Sequence, residues 1–74
     1  MMKTNCIKVT AYLDNNNVFE QYYIGYDIMQ YNVLAIFRDK FTKYSNCIIV
    51  AEDIDMEEIS IDDLKSQNKI NYII

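Results

Sequence analysis

Between Glu52 and Asp63 lie seven carboxylates and no base: Glu52, Asp53, Asp55, Glu57, Glu58, Asp62 and Asp63. Residues 1–51 carry a net +1 and residues 64–74 a net +2, so this one segment supplies the acidity of a chain whose formal charge is −4. Closely spaced carboxylates can hold a hard cation, run acid–base chemistry as a pair, or present a negative field to a basic partner.

The cation use fails at defined positions. Asp53, Asp55 and Glu57 match the first, third and fifth places of an EF-hand loop. The sixth place, which needs Gly for its sharp turn, is Glu58, and the twelfth, which needs the closing Glu, is Leu64. At most a loose, low-affinity cation site is left, and no resident metal is expected. Acid–base chemistry on paired carboxylates needs a cleft that raises one pKa and holds a substrate. A chain of 74 residues with one thin core has little room for it.

Other chemistries lack their residues. Histidine is absent, which removes the commonest general base and the commonest metal ligand near neutral pH. Neither a Ser-His nor a Cys-His pair can be built. Cys6 and Cys47 sit in apolar strand-like runs with no clustered basic neighbours apart from Lys8 to lower a thiol pKa, so they read as small buried hydrophobes of a reduced chain. One disulfide between them stays open should the two strands be neighbours. Two cysteines are too few for a disulfide framework or a four-ligand zinc site. No glycine-rich phosphate loop is present. The chain is read as a non-enzyme without cofactors.

The field remains. An isoelectric point of about 4.5 argues against direct binding to nucleic acid. Arg38, Lys40 and Lys43 are its only basic cluster, and they read as an ordinary solvated helix face. No apolar run approaches the roughly 20 residues of a membrane span, and no signal peptide is visible, so a cytoplasmic protein is expected.

The elements that must carry these residues follow from periodicity. Cys6 to Leu13 alternates, with Ile7, Val9, Ala11 and Leu13 on one face and Cys6, Lys8, Thr10 and Tyr12 on the other, as in a half-buried strand. Asp14-Asn15-Asn16-Asn17 reads as a turn, because Asn and Asp tolerate left-handed backbone. Val18 to Ile24 returns as the second arm of a hairpin. Gly25, the only glycine, marks a positive φ or a bulge at the junction. Asp27 with Gln30 predicts a capping box, and a helix is expected over 28–44. Gln30, Val33, Leu34, Phe37, Phe41 and Tyr44 form its buried stripe, and Ile28, Met29 and Ile36 a second, smaller contact. Cys47 to Ala51 is uniformly apolar and predicts a central strand covered on both faces. Ser60 with Asp63 predicts the start of a short helix over 61–66, and residues 70–74 a last strand.

The expected fold is α+β in one domain over 1–74: a small antiparallel or mixed sheet, in the order β-β-α-β-short α-β, with one long amphipathic helix on one face. Within Glu52–Asp63 the acids alternate with Ile54, Met56, Ile59 and Ile61, which predicts a segment that packs inward while showing charge outward. The sequence therefore points to a protein-binding module. Its contact residues would be Glu52, Asp53, Asp55, Glu57, Glu58, Asp62 and Asp63 with the tyrosines Tyr12, Tyr22 and Tyr26. The partner would be a protein with a basic surface, such as the groove of a nucleic-acid-handling enzyme. Small size, acidity and codon-biased composition suit the genre of phage or mobile-element inhibitors, anti-CRISPR-type proteins among them. The alternative reading is a homodimer or accessory subunit whose core a neighbour completes, since a domain this small is marginal alone.

Overall fold

A computed structural model describes residues 3–73 of the chain. Its elements are β1 (Thr4–Tyr12), β2 (Val18–Tyr26), α1 (Gln30–Lys40), β3 (Ile48–Ile54), α2 (Ile61–Ser66) and β4 (Ile70–Ile73). The expected α+β class and element order are both present. The sheet is mixed and ordered β3-β1-β2-β4. β1 is antiparallel to both β2 and β3, and β4 runs parallel to β2. Ile74, the last residue of the expected final strand, lies outside the described residues.

The hairpin forms where the Asp-Asn run predicts it. A short 3-10 turn spans Asp14–Asn16, and Asn15 and Asn16 take left-handed backbone with φ of 67° and 62°. Asn and Asp enter that region at lower cost than other side chains.

Two crossovers join parallel strands, β2 to β3 through α1 and β3 to β4 through α2. They run in opposite directions across the sheet. Parallel crossovers are right-handed, so the two must lie on opposite faces. The buried residues agree. Ile7, Val9, Ala11 and Tyr23 form one core with Val33 and Phe37 of α1, and Phe19, Leu34, Phe41, Tyr44, Ile49 and Ile73 pack around it. Cys6 and Ile24 point to the other face and are buried too, as is Leu64 of α2, and none of these three belongs to the α1 core.

Several expectations are corrected by long-range contacts. The apolar run after the helix is not a central strand. It extends to Ile54 as β3 and forms an edge, with β1 taking the inner position. Glu52 and Asp53 are consecutive, so they point to opposite faces, and a strand covered on both sides could not hold both. The long helix ends at Lys40, and a 3-10 turn over Thr42–Tyr44 continues the chain after a break at Phe41, whose ψ is 62°. Asp27 does not cap the helix. Met29 occupies the N-cap without a side-chain bond, and Asp27 sits in a turn at φ 50° with its N–H on the Lys3 carbonyl. Asn5 does the anchoring instead: its amide donates to the Ile28 carbonyl and accepts from the Ile28 N–H, both at 3.0 Å. Gln30 leaves the buried stripe and donates to Asp53 at 3.3 Å. Ile28 packs on the main core, whereas Met29 and Ile36 stay exposed.

Gly25 is also reassigned. It lies inside β2, opposite Ile73 of β4, and its φ is not positive. A Cβ there would come within 2.7 Å of the Ile73 carbonyl oxygen and 2.7 Å of Ile28 Cγ2. The residue is needed because β4 and the start of the α1 segment both press on that backbone. Gly25→Ala is expected to push β4 outward and cost about 1–3 kcal/mol. Urea unfolding measures the loss, and unchanged stability would show that β4 tolerates the shift. β4 is otherwise held by polar contacts: Asn71 Nδ2 donates to Gln21 Oε1 at 2.9 Å and to the Tyr22 carbonyl at 3.1 Å.

Candidate interface

The acidic segment is built from the end of β3, a 3-10 turn over Met56–Glu58, and the first turn of α2. Each piece is fixed locally by its own sequence. Asp55 accepts the Glu57 N–H at 3.0 Å and so starts the 3-10 turn. Ser60 Oγ accepts the Asp63 N–H at 3.3 Å and starts α2, as its capping position predicts. Asp62 and Asp63 then sit in the first turn, where the helix dipole favours negative charge.

All seven carboxylates are exposed. Ile54, Met56, Ile59 and Ile61 between them are half-buried, and Leu64 is buried. The alternation thus does what its pattern implies: apolar residues pin the segment while the acids face outward. Among the described residues only Glu52 of the seven forms an ion pair. Lys8 Nζ lies 3.0 Å from Glu52 and 3.6 Å from Glu20, and Lys69 reaches Glu20 at 3.7 Å. The hydrogen bond to Glu52 raises the Lys8 pKa above its usual value, against the opposing effect of burial. Asp53 accepts from Gln30 on the α1 side of the sheet.

The three tyrosines do not share one surface with these acids. Tyr12 is exposed but pairs with Ile48, at the far end of β3 from Ile54, about 20 Å away at strand spacing. Tyr22 is half-buried beside Lys8, and burial raises its phenol above the ordinary value. Tyr26 is exposed at the same end of the sheet as Ile54, since Thr4 faces Tyr26 while Cys6 faces both Ile24 and Ile54. The acidic segment and Tyr12 are therefore two separate surfaces.

Around Tyr12 the structure exposes residues that the sequence reading placed inside. Ile48 is 72% and Val50 44% exposed, and Val18 lies open directly across from Tyr12. The signal for this was the Glu52-Asp53 pair, which marks β3 as an edge.

Cys6 and Cys47 are both free. Cys47 packs against the α1 core and Cys6 points to the opposite face, so the sheet separates them. Burial pushes the Cys6 thiol up to about 11. Among the described residues no three Asp, Glu or Cys side chains converge to hold a metal ion. An open depression of about 770 Å³ lies between Lys3, Asn5, Asp53, Asp55 and Glu57. No helix among the described residues is long and apolar enough to cross a membrane. Comparison of the chain with known protein families, characterised proteins and solved structures finds no match.

Proposed function

We propose that this protein is a non-enzymatic binding module that docks its acidic crossover on a basic surface of a protein partner. One observation carries the reading: seven exposed carboxylates on a segment pinned by Ile54, Met56, Ile59, Ile61 and Leu64, with only Glu52 ion-paired among the described residues. A field of one sign on a rigid support steers encounter with the opposite sign and raises the on-rate. It also costs less on binding than a disordered acidic tail, whose ordering entropy must be met at the interface.

The finer reading names the partner class. A groove that normally accepts a nucleic-acid backbone is lined with Lys and Arg, and a small acidic domain can compete for it by occupying it. An inhibitor of a nucleic-acid-handling enzyme, of the kind phages and mobile elements encode, acts in this way without catalysis.

The test uses Glu57→Gln, Glu58→Gln, Asp62→Asn and Asp63→Asn together. These four side chains make no hydrogen bond or ion pair among the described residues, so the fold should survive, as circular dichroism would show. A partner captured from the host lysate by the wild-type chain should bind this variant at least about tenfold more weakly at low salt, and the difference should shrink as salt rises. Equal affinity and equal salt dependence, with the fold intact, would mean that the acidic crossover is not the binding surface.

A further inference from the structure

We infer that the β3 edge is a self-association surface, on which a second copy of this chain pairs antiparallel to extend the sheet across a two-fold axis. This inference does not rest on the acidic docking surface, although Asp53, Asp55 and Glu57 belong to both, and its test uses variants of Ala51 and Lys43, which lie outside that surface.

The pairing pattern shows what the edge offers. The Tyr22 N–H bonds the Lys69 carbonyl, so the even residues of β2 point their backbone toward β4 and the odd ones toward β1. Carried across the register, Ile48, Val50, Glu52 and Ile54 of β3 turn inward to β1. Ile49, Ala51 and Asp53 are left with their N–H and C=O groups at the outer edge. These groups are symmetric about Ala51, the midpoint of Ile48–Ile54. A second β3 laid antiparallel with Ala51 facing Ala51 pairs all of them, and it sets exposed Ile48 across from the partner's Ile54.

Charge favours the same direction. Asp53, Asp55 and Glu57 outnumber Lys3 at the C-terminal end of β3, whereas Lys43 and Asp14 balance each other beside Asn46, Cys47 and Ile48 at its N-terminal end. An antiparallel copy sets each acidic end beside the partner's balanced end, where Lys43 offers it a cation, twice by symmetry. A parallel copy would stack acid on acid. Surface area agrees. The chain exposes 5366 Å², whereas a folded monomer of this mass exposes about 4,800 Å². Its radius of gyration is 12.2 Å, against about 11 Å for a compact domain of this length. The slab, 40 × 24 × 17 Å, carries excess surface that a neighbour can cover. Glu52 and Asp53 guard only the C-terminal half of this edge: Ile48–Ala51 carries no charge, no Pro and no bulge.

Sedimentation equilibrium of the full chain at micromolar concentration should give twice the 8.8 kDa monomer mass. Hydrogen exchange should show the Ile49, Ala51 and Asp53 amides protected, with protection falling on dilution. Ala51→Pro removes only an outward N–H, a change that edge strands tolerate. It should raise the dimer dissociation constant about tenfold or more, because the lost bond counts twice. Lys43→Glu, away from the strand, should weaken the dimer in the same direction and most at low salt. A strict monomer overturns the inference. So does a dimer in which these three amides exchange freely, or one unchanged by both variants.

Discussion

Phe37→Ala is expected to remove about 3–5 kcal/mol, roughly half of the stability that a domain this small holds. Phe37 is fully buried, on the one face of α1 that meets the sheet. Its ring packs against Phe41 at 5.1 Å and Phe19 at 6.0 Å between centroids, and Phe19 in turn stacks on Tyr44 at 4.4 Å. These aromatics join α1, the following 3-10 turn and the hairpin. Truncating a buried Phe to Ala typically costs about 3–5 kcal/mol. A domain of 74 residues has in total only about 4–10 kcal/mol of stability. With Val33 the only other fully buried side chain of α1, the sheet has little else to hold the helix. Far-UV circular dichroism and a urea titration would show a transition moved to low denaturant or lost. Ile36→Ala, on the exposed side of the same helix, should change stability by about 0.5 kcal/mol or less. Should Phe37→Ala lose under 1 kcal/mol, the α1–sheet contact would not be the core of this fold.

That core was legible in the sequence because its signals are local and periodic. Val33 and Phe37 are one helical turn apart, and Ile7, Val9 and Ala11 alternate. The chain reversal at Asp14–Asn17 and the start of α2 at Ser60 are each encoded within four residues. What was not legible depends on residues far apart. Cys47–Ala51 looks like the most buried strand by composition, yet sheet order makes it an edge, because β1 pairs on both sides. β1 looks half-buried, yet Cys6 on its second face is fully buried as well. Gly25 invited a turn, but the constraint comes from Ile73, which is 48 positions later in the chain.

The acidic segment divides the same way. The outward display of its charge follows from alternation with apolar residues and is readable. That Tyr12 lies away from it while Tyr26 shares its end of the sheet is a matter of register. Tyr12 pairs with Ile48 rather than with residues near Ile54, and this separates the acidic surface from the apolar one at the other end of β3. The proposed steering by the charged surface and the proposed close association at the apolar end of the edge follow this division.

The second large effect is alkaline. Raising the solution from about pH 8 to about pH 11 should remove about 3–4 kcal/mol of folding stability, through Cys6 and Tyr23 alone. Burial pushes Cys6 from 9.0 to about 11 and Tyr23 from 10.0 to about 12. Both are acids that ionise less readily in the folded chain than in the unfolded one. The unfolded state therefore loses its protons first as pH rises. Stability is full below pH 9.0, falls as Cys6 titrates between 9.0 and about 11, and falls further as Tyr23 does so between 10.0 and about 12. Lys8 and Tyr22, both raised, pull in the same direction. The loss is a large share of the stability of a domain this small, so the urea midpoint should fall steeply by about pH 11. The Tyr23 hydroxyl is buried without a hydrogen-bond partner. Tyr23→Phe therefore removes an unsatisfied group, and it should leave stability at neutral pH unchanged or raised by about 1 kcal/mol. Cys6→Ala removes the thiol at a modest packing cost. Urea unfolding followed against pH should show the steep alkaline loss in the wild type, an onset moved about one unit higher in Cys6→Ala, and a slope cut by more than half in the double variant. An equally steep loss in the double variant would place the alkaline sensitivity elsewhere, in Lys8 and Tyr22.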